Sequence, residues 1–176
     1  PMFWEKEGDF ERFCWPESST VEFKQALPGR DGRDDAWLNG GDVERYARDK
    51  LLKEVVAFAN TSGGHLVLGV AETREAPASA RALTSVLRCA ELAVRLARAA
   101  QAVDPPVPHL LVRGVPIQGD AGIVVFRVPE SRSAPHRAPD KKCYVRRGTE
   151  SVPIGMREIH DMTLAAGRRG EAFNAR

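Results

Sequence analysis

The sequence has little of what would place it in a specialised structural class. Its three cysteines are an odd number without metal-type spacing, which argues against a disulfide framework and a zinc knuckle and favours a reducing cytoplasm. We expect Cys89 and Cys143 to be buried small residues. No apolar run approaches the roughly 20 residues of a membrane span, so we expect no membrane contact. The formal net charge is only +2, so any basic surface must come from local clustering.

Other classes are also excluded. The N-terminus is acidic and aromatic and does not resemble a signal peptide. The glycine pair at 63–64 lacks a P-loop lysine and precedes a strand, so we expect no ATP site. A length of 176 residues suits one domain with its own core. We divide the chain into an aromatic arm at 1–16, a domain at 17–166 and a flexible tail at 167–176.

The most informative stretch joins a helix to a buried strand. Apolar residues that recur about every four positions predict a helix at 43–59, with Asp42 as its N-cap. The apolar run at 65–70 predicts a central strand that is buried on both faces. Asn60 and the glycine pair at 63–64 would form the turn, because glycine adopts the left-handed conformation at little cost.

The other elements predict the fold class. Mixed strand pairing, with helices packed mainly on one side of the sheet, is an α+β arrangement. The remaining patterns predict a strand within 17–27 with Val21 and Phe23 inward, a loop at 28–41, a helix at 80–102 capped by Ser79, a hairpin of strands at 109–115 and 122–128, a strand at 143–148 and a helix at 156–165.

Arginines seven residues apart would lie on one face of the second predicted helix. They are Arg81, Arg88 and Arg95, with Arg98 nearby. Such a stripe is usually a solvated face with ion pairs such as Arg88–Glu91–Arg95, and phosphate contact is the minority interpretation.

Several motifs in series resemble the Schlafen AlbA_2 domain family. The resemblance covers about residues 15–165, and an ordered series is far more specific than any single motif. The motifs are Glu17-Ser18-x-x-Val21-Glu22-Phe23-Lys24, then Ala57-Phe58-Ala59-Asn60-Thr61-x-Gly63-Gly64-x-Leu66-x-x-Gly69-Val70, then Val128-Pro129-Glu130-Ser131 and Ala134-Pro135-His136, and finally Tyr144-Val145-Arg146-Arg147-Gly148.

The resemblance implies a function as well as a fold. It implies a single Alba-like α+β domain that binds nucleic acid, often as the N-terminal module of bacterial transcription regulators. Related Schlafen proteins of animals include endonucleases that cut transfer and ribosomal RNA at a metal-dependent site of three carboxylates. Glu17 and Glu22 match two of those carboxylates, and Glu72 stands where the family has an aspartate. This departure lengthens the side chain by one methylene, which moves its carboxylate oxygens further from the backbone.

The chemistry of the three glutamates can be argued separately. If the strands that carry Glu22 and Glu72 are neighbours, their ends bring the carboxylates together. Clustered carboxylates repel one another unless a cation or protons intervene, and hard oxygen ligands suit Mg²⁺ or Mn²⁺, which can activate water. The alternative, weighted equally, is that Glu17, Glu22 and Glu72 are surface residues paired with Lys24 or nearby arginines.

A basic run with an interleaved tyrosine lies in the C-terminal third of the chain. Such a run is often simply solvated, but tyrosine among arginines also suits base stacking and phosphate contact. Because the family motif and the charge cluster coincide there, we favour the functional interpretation. The candidate nucleic-acid-binding residues are Lys24, Arg132, His136, Arg137, Lys142, Tyr144, Arg146 and Arg147.

Three hypotheses for the function remain open. The first is a binding module for DNA or RNA, and the second is a metal-dependent endoribonuclease that uses Glu17, Glu22 and Glu72. The third is a regulatory or dimerisation module, whose homodimer contact would be the aromatic arm. The favoured interpretation of the arm is that its rings dock on the domain's own core.

Overall fold

The computed structural model describes residues 16–30, 33, 35–73 and 78–174, with side chains described as far as residue 168. The predicted arm at 1–16 therefore lies, except for Pro16, outside the described residues. The elements are β1 (Val21–Lys24), α1 (Arg45–Ala59), β2 (Gly64–Leu68), β3 (Val70–Glu72), β4 (Ala80–Leu83), α2 (Cys89–Ala99), β5 (Leu111–Gln118), β6 (Ala121–Val128), β7 (Tyr144–Arg147), β8 (Glu150–Pro153) and α3 (Met156–Asn174).

A four-stranded mixed sheet, in the order β1-β2-β6-β5, forms the centre of the fold. β1 runs parallel to β2, whereas β6 is antiparallel to both β2 and β5. Helices α1 and α2 cover one face of the sheet, and their core includes Val55, Leu92 and Phe126. The hairpin β3–β4 lies against the opposite face, where Phe23 and Val67 are buried. The predicted α+β class, with helices mainly on one side of a mixed sheet, is confirmed.

Helix α1 is confirmed, but its predicted cap is wrong. The helix begins at Arg45, and Asp42 instead forms an ion pair with Arg95. The carboxylate of Asp35, in the preceding segment, accepts a hydrogen bond from the backbone N–H of Glu44 at 3.1 Å. A distant aspartate therefore satisfies a donor at the helix start, which a search for a local cap does not reveal.

The glycine turn after α1 forms as predicted. Gly63 has a φ of 70°, and a Cβ there would lie 2.6 Å from the backbone nitrogen of Glu130. A Cβ on Gly64 would lie 2.6 Å from the ring of Phe58. Both positions therefore require glycine. The predicted strand at 65–70 is divided, because Gly69 has a φ of 100° and separates β2 from β3.

The second predicted helix, at 80–102, is wrong in its first part and confirmed in its second, where α2 and a following 3-10 turn reach Ala102. Residues Ala80–Leu83 form β4, which pairs with β3, and α2 begins only at Cys89. Ser79 caps no helix, and Arg81 lies on a strand, so Arg81 does not share a helix face with Arg88 and Arg95. The apolar spacing suited a helix, but strand pairing with β3 determines the conformation. The predicted ion pairs of Glu91 with Arg88 and Arg95 do form, at 3.7 and 2.9 Å.

The C-terminal elements are longer and more numerous than predicted. The hairpin β5–β6 and strand β7 are confirmed, but β7 pairs with β8, which the sequence patterns did not indicate. Helix α3 continues to Asn174 instead of ending at residue 165, so most of the predicted tail at 167–176 is helical. Within the described part of the chain, no helix has the length and apolarity needed to cross a membrane.

Candidate functional site

Three glutamates converge at one end of β1. Glu17 precedes this strand, Glu22 lies within it and Glu72 ends β3. The three carboxylates interact electrostatically with one another, and an oxygen of Glu17 accepts a hydrogen bond from the N–H of Phe23 at 3.1 Å. Gly69 turns the chain from β2 into β3, which brings Glu72 close to the other two residues. The fold thus gathers the three glutamates that the family motif pointed to.

Lys24 provides the positive charge of this carboxylate cluster. Its Nζ forms a close ion pair with Glu22 and lies 4.0 Å from an oxygen of Glu72. Burial alone would lower the pKa of Lys24, but attraction to Glu22, Glu72 and Glu17 outweighs it and raises the pKa. The ammonium group is therefore charged and engaged with carboxylates, and about a third of the side chain remains exposed.

Two of the glutamates hold their protons more tightly than usual. Burial raises the pKa of Glu17, and repulsion by Glu22 adds to this increase, although the hydrogen bond from Phe23 opposes it. Burial and then repulsion by Glu17 raise the pKa of Glu72. Both shifts are typical of partly buried carboxylates that also repel one another.

Arg146 lies in the interior, which contradicts its prediction as a nucleic-acid contact. Its side chain is 1% exposed and pairs with Glu22 at 2.9 Å and Glu54 at 3.0 Å. It also donates to the carbonyl of Ser18 at 3.2 Å, and its guanidinium lies 4.7 Å from the ring centre of Phe58. Arg146 therefore joins β7 to β1 and α1, and presents no surface to a ligand.

Tyr144 and His136 are also buried, so their prediction as ligand contacts is wrong. Burial raises the pKa of Tyr144, and the hydrogen bond that its hydroxyl donates to Asp140 adds to this increase. His136 Nδ1 lies 2.7 Å from the carbonyl oxygen of Pro105, and burial lowers the pKa of His136. Both residues hold the loop before β7 against the core instead of facing solvent.

Asn60 binds this loop more directly than the predicted turn role suggested. Its Oδ1 accepts a hydrogen bond from the N–H of His136 at 2.7 Å. Its Nδ2 donates to the carbonyls of His136 and Tyr144, both at 2.9 Å. A single buried amide therefore attaches the end of α1 to two points of the segment that precedes and begins β7.

The remaining cations of the C-terminal segment are exposed. They fall into two groups. Arg137 pairs with Asp104 and Arg147 with Glu158, both at 2.6 Å, and all four side chains are well exposed. Within the described part of the chain, no ion pair involves Arg132, Lys141 or Lys142. Of the eight candidate contacts, the structure thus leaves Arg132, Arg137, Lys142 and Arg147 fully on the surface.

The sequence patterns did not point to Glu54, which completes the environment of Arg146. One of its carboxylate oxygens accepts from Arg146 and from the hydroxyl of Ser151 on β8. The only available signal was its position one turn before the buried Phe58, among apolar neighbours in α1. A carboxylate at such a position needs a buried partner, but the sequence does not reveal which one.

The carboxylate cluster does not fit a metal ion in the arrangement seen. Carboxylate oxygens are suitable ligands for Mg²⁺ or Mn²⁺. However, Lys24 holds one oxygen of Glu22 and Arg146 holds the other. Among the described residues, no group of three or more histidine, cysteine, aspartate or glutamate side chains is placed to hold a metal. Lys24 and Arg146 supply the positive charge that a metal would otherwise bring.

The segment at 129–143, between β6 and β7, carries the exposed Arg132, Arg137, Lys141 and Lys142 and forms a basic loop. Fold and site together define an α+β domain with a glutamate cluster beside a buried arginine and this exposed basic loop. A family model described as "Schlafen, AlbA_2" matches residues 17–155. The chain belongs to the Schlafen AlbA_2 domain family, because this match covers most of its length.

Comparison with solved structures and curated proteins adds little to this assignment. The DIP2311 protein from Corynebacterium diphtheriae is similar at 18% sequence identity, with a TM-score of 0.49. The match covers 92% of this chain and 25% of that one, so this chain spans about a quarter of the length of DIP2311. No curated protein matches the chain.

Proposed function

We propose that this chain is a nucleic-acid-binding domain that contacts the phosphate backbone through its exposed basic loop. The observation that carries the proposal is the Schlafen AlbA_2 family match over residues 17–155. The contacts are the five exposed cations around the loop and β7, which are Arg132, Arg137, Lys141, Lys142 and Arg147. Lys24, Tyr144, His136 and Arg146 are not part of this surface.

The physical basis of the proposal is the release of counterions from the nucleic acid when basic side chains bind its phosphates. A nucleic acid strand releases counterions when Lys and Arg neutralise its phosphates, so binding gains strength without base-specific contacts. Arg132, Lys141 and Lys142 can meet a phosphate without first losing an ion pair. Arg137 and Arg147 can exchange a surface carboxylate for a phosphate at little cost, because exposed ion pairs contribute only about 0–1 kcal/mol.

Fluorescence anisotropy with labelled oligonucleotides tests this proposal. Single-stranded DNA, single-stranded RNA and duplex DNA are each titrated at two salt concentrations. We expect salt-dependent binding, which the triple variant Arg132→Gln/Lys141→Gln/Lys142→Gln weakens about tenfold or more while lowering the salt dependence. The preferred oligonucleotide identifies the nucleic acid type.

A charge-matched variant provides the control. Arg45→Gln/Arg81→Gln/Arg113→Gln removes the same charge from exposed positions outside the loop. If both triple variants lose affinity equally, only total charge matters and the loop is not the binding surface. If the wild-type protein binds none of the oligonucleotides at low salt, the proposed function is wrong.

A metal-dependent endonuclease is the second candidate function. The observation in its favour is the convergence of Glu17, Glu22 and Glu72, with a raised pKa at Glu17 and Glu72. The arrangement seen does not fit a metal, so this candidate requires Lys24 to withdraw from Glu22. Glu22 is a poor test position, because its loss would leave the buried Arg146 with one partner fewer.

The more exposed glutamates test the nuclease candidate more cleanly. The nuclease candidate predicts Mn²⁺-dependent cleavage of transfer RNA that EDTA stops and that Glu17→Gln/Glu72→Gln abolishes while leaving folding intact. The matched control is Glu44→Gln/Glu150→Gln, two exposed carboxylates outside the cluster. Cleavage that survives the first pair of changes, or that EDTA does not affect, would eliminate the three-carboxylate mechanism.

The cellular setting is a further part of the proposal. Cys89 and Cys143 are buried free thiols, which suits a reducing cytoplasm. A role in transcription regulation rests on the family resemblance alone. The dimerisation hypothesis depends on the aromatic arm, which lies outside the described residues, so it stays a prediction.

A further inference from the structure

A second basic region lies between the start of α1 and the end of α2. It is a cleft of about 370 Å³ that shares no residue with the carboxylate cluster or the basic loop. Three of its six lining residues are arginines and only one is acidic. The lining consists of Asp42, Val43, Arg48, Arg95, Arg98 and Ala99.

Arg95 lines this cleft, and its charge is already paired with two carboxylates. Its Nε and Nη2 donate to one oxygen of Glu91 at 3.1 and 2.9 Å, and its Nη1 pairs with Asp42. Its guanidinium also lies 5.8 Å from the ring centre of the buried Trp37. Two acids therefore compensate the charge of Arg95.

Arg48 and Arg98 carry the uncompensated charge. Asp42, the acid in the lining, is already engaged by Arg95. Within the described part of the chain, neither Arg48 nor Arg98 has an ion pair or a side-chain hydrogen bond. Arg48 is half-buried in the first turns of α1, and Arg98 is exposed near the end of α2. Arg48 and Arg98 thus line the same cleft, and among the described residues neither is paired with an anion.

We propose that this cleft binds a phosphate group of the nucleic acid strand, held by Arg48 and Arg98. Guanidinium groups bind phosphate with paired hydrogen bonds, and a recess with an excess of positive charge attracts anions. Val43 and Ala99 add an apolar wall against which a sugar can pack. The inference rests on the proposed function and adds a second contact region to the basic loop.

Anisotropy titrations with the preferred oligonucleotide test the cleft. We expect Arg48→Gln/Arg98→Gln to weaken binding several-fold to tenfold and to reduce the slope of log K against log salt concentration by about one. Arg48→Lys/Arg98→Lys keeps both charges and should recover only part of the affinity, because lysine lacks the paired donors. The control is Arg45→Gln/Arg157→Gln, which removes two arginines from outside the cleft, on α1 and α3.

A second measurement separates failure of the cleft from failure of the proposed function. Amide NMR shifts at Val43, Arg48 and Ala99 are followed while inorganic phosphate or a nucleoside monophosphate is added. Oligonucleotide binding that falls equally in the cleft variant and its control would overturn the cleft and leave the proposed function intact. Shifts with the monophosphate but no oligonucleotide binding would support a phosphate site and overturn the proposed function. Neither shifts nor binding would overturn both.

Discussion

Arg146 and Arg147 are adjacent in β7, yet their side chains lie in opposite environments. The side chain of Arg146 is 1% exposed and pairs with Glu22 and Glu54, whereas that of Arg147 is 58% exposed and pairs with Glu158. Successive side chains of a strand point to opposite sides, so one faces α1 and the other faces solvent. A basic run in a sequence can therefore contain two kinds of arginine, and only the exposed kind can exchange its partner for a phosphate.

The two environments also differ in what their ion pairs contribute. Breaking a buried pair leaves a charge without compensation in the interior and costs about 3–5 kcal/mol. An exposed pair is screened by water and salt, and contributes about 0–1 kcal/mol. The fold therefore tolerates the loss of a single ion-pair partner poorly on the interior side of β7, whereas the exterior side is available for binding.

The largest expected effect is that of replacing Arg146. Arg146→Met leaves Glu54 without its buried arginine and Glu22 with Lys24 alone. We expect the free energy of unfolding to fall by about 3–5 kcal/mol, whereas Arg147→Met should change it by less than about 1 kcal/mol. Urea unfolding followed by circular dichroism measures both values.

Double-mutant cycles sharpen this comparison. The cycle of Arg146→Met with Glu54→Gln should show strong coupling, because each change alone leaves the other side chain buried and uncompensated. The cycle of Arg147→Met with Glu158→Gln should be additive to within about 0.5 kcal/mol. Similar coupling energies in the two cycles would contradict the contrast between the two sides of β7.

A pair of glycines provides a second interior-to-surface comparison. Gly63 and Gly148 have similar φ values of 70° and 62°, so alanine at either position costs about 1–2 kcal/mol in backbone strain. Only at Gly63 would the new Cβ also meet backbone atoms, at 2.6 Å, whereas nothing lies within 4 Å of it at Gly148. We expect Gly63→Ala to reduce the free energy of unfolding by about 2–4 kcal/mol and Gly148→Ala by about 1–2 kcal/mol. Equal losses in urea unfolding would show that the turn yields to the added methyl group.

The smallest expected effect concerns pH. The folded state binds the protons of Glu17 and Glu72 more tightly than the unfolded chain, because burial and mutual repulsion raise both pKa values. These two groups therefore make the free energy of unfolding decrease as the pH rises above about 4.5, through the raised pKa values. Glu72→Gln should flatten this decrease and raise stability near neutral pH by less than about 1 kcal/mol, because solvent screens the partly exposed cluster.

Urea unfolding at several pH values measures this effect. Glu150→Gln changes an exposed carboxylate outside the cluster and should leave the slope against pH as it is in the wild type. A steeper decrease of stability with pH in Glu72→Gln would mean that Glu72 is stabilised by Lys24 more than it is destabilised by burial and by the other glutamates.

The elements that sequence analysis predicted correctly depend on contacts close in sequence. Helix α1 has a continuous apolar face, and the turn at Gly63 has a conformation that few other residues adopt. The hairpin β5–β6 joins neighbouring strands through a short glycine turn. The prediction failed at residues 80–88, where pairing of β4 with β3 outweighs a helical apolar pattern.

The residues of the candidate site also fall into those that the sequence indicated and those that only the structure revealed. The motif around Glu17 and Glu22 indicated which carboxylates gather, and the structure brings them to Glu72. The sequence patterns could not show that the side chain of Arg146 points inward. Which face of β7 is buried depends on how this strand packs against α1. Nor could they show the pairing of Arg146 with Glu54, which lies 92 residues earlier in the chain.

The sequence by itself determined the α+β class, the family and the glycine turn, because these depend on local pattern and residue type. Only the tertiary structure decided which cations remain at the surface. Burial of a charged side chain depends on whether distant partners surround it, and here Glu22, Glu54 and the ring of Phe58 surround Arg146 while Lys142 and Arg132 stay in solvent.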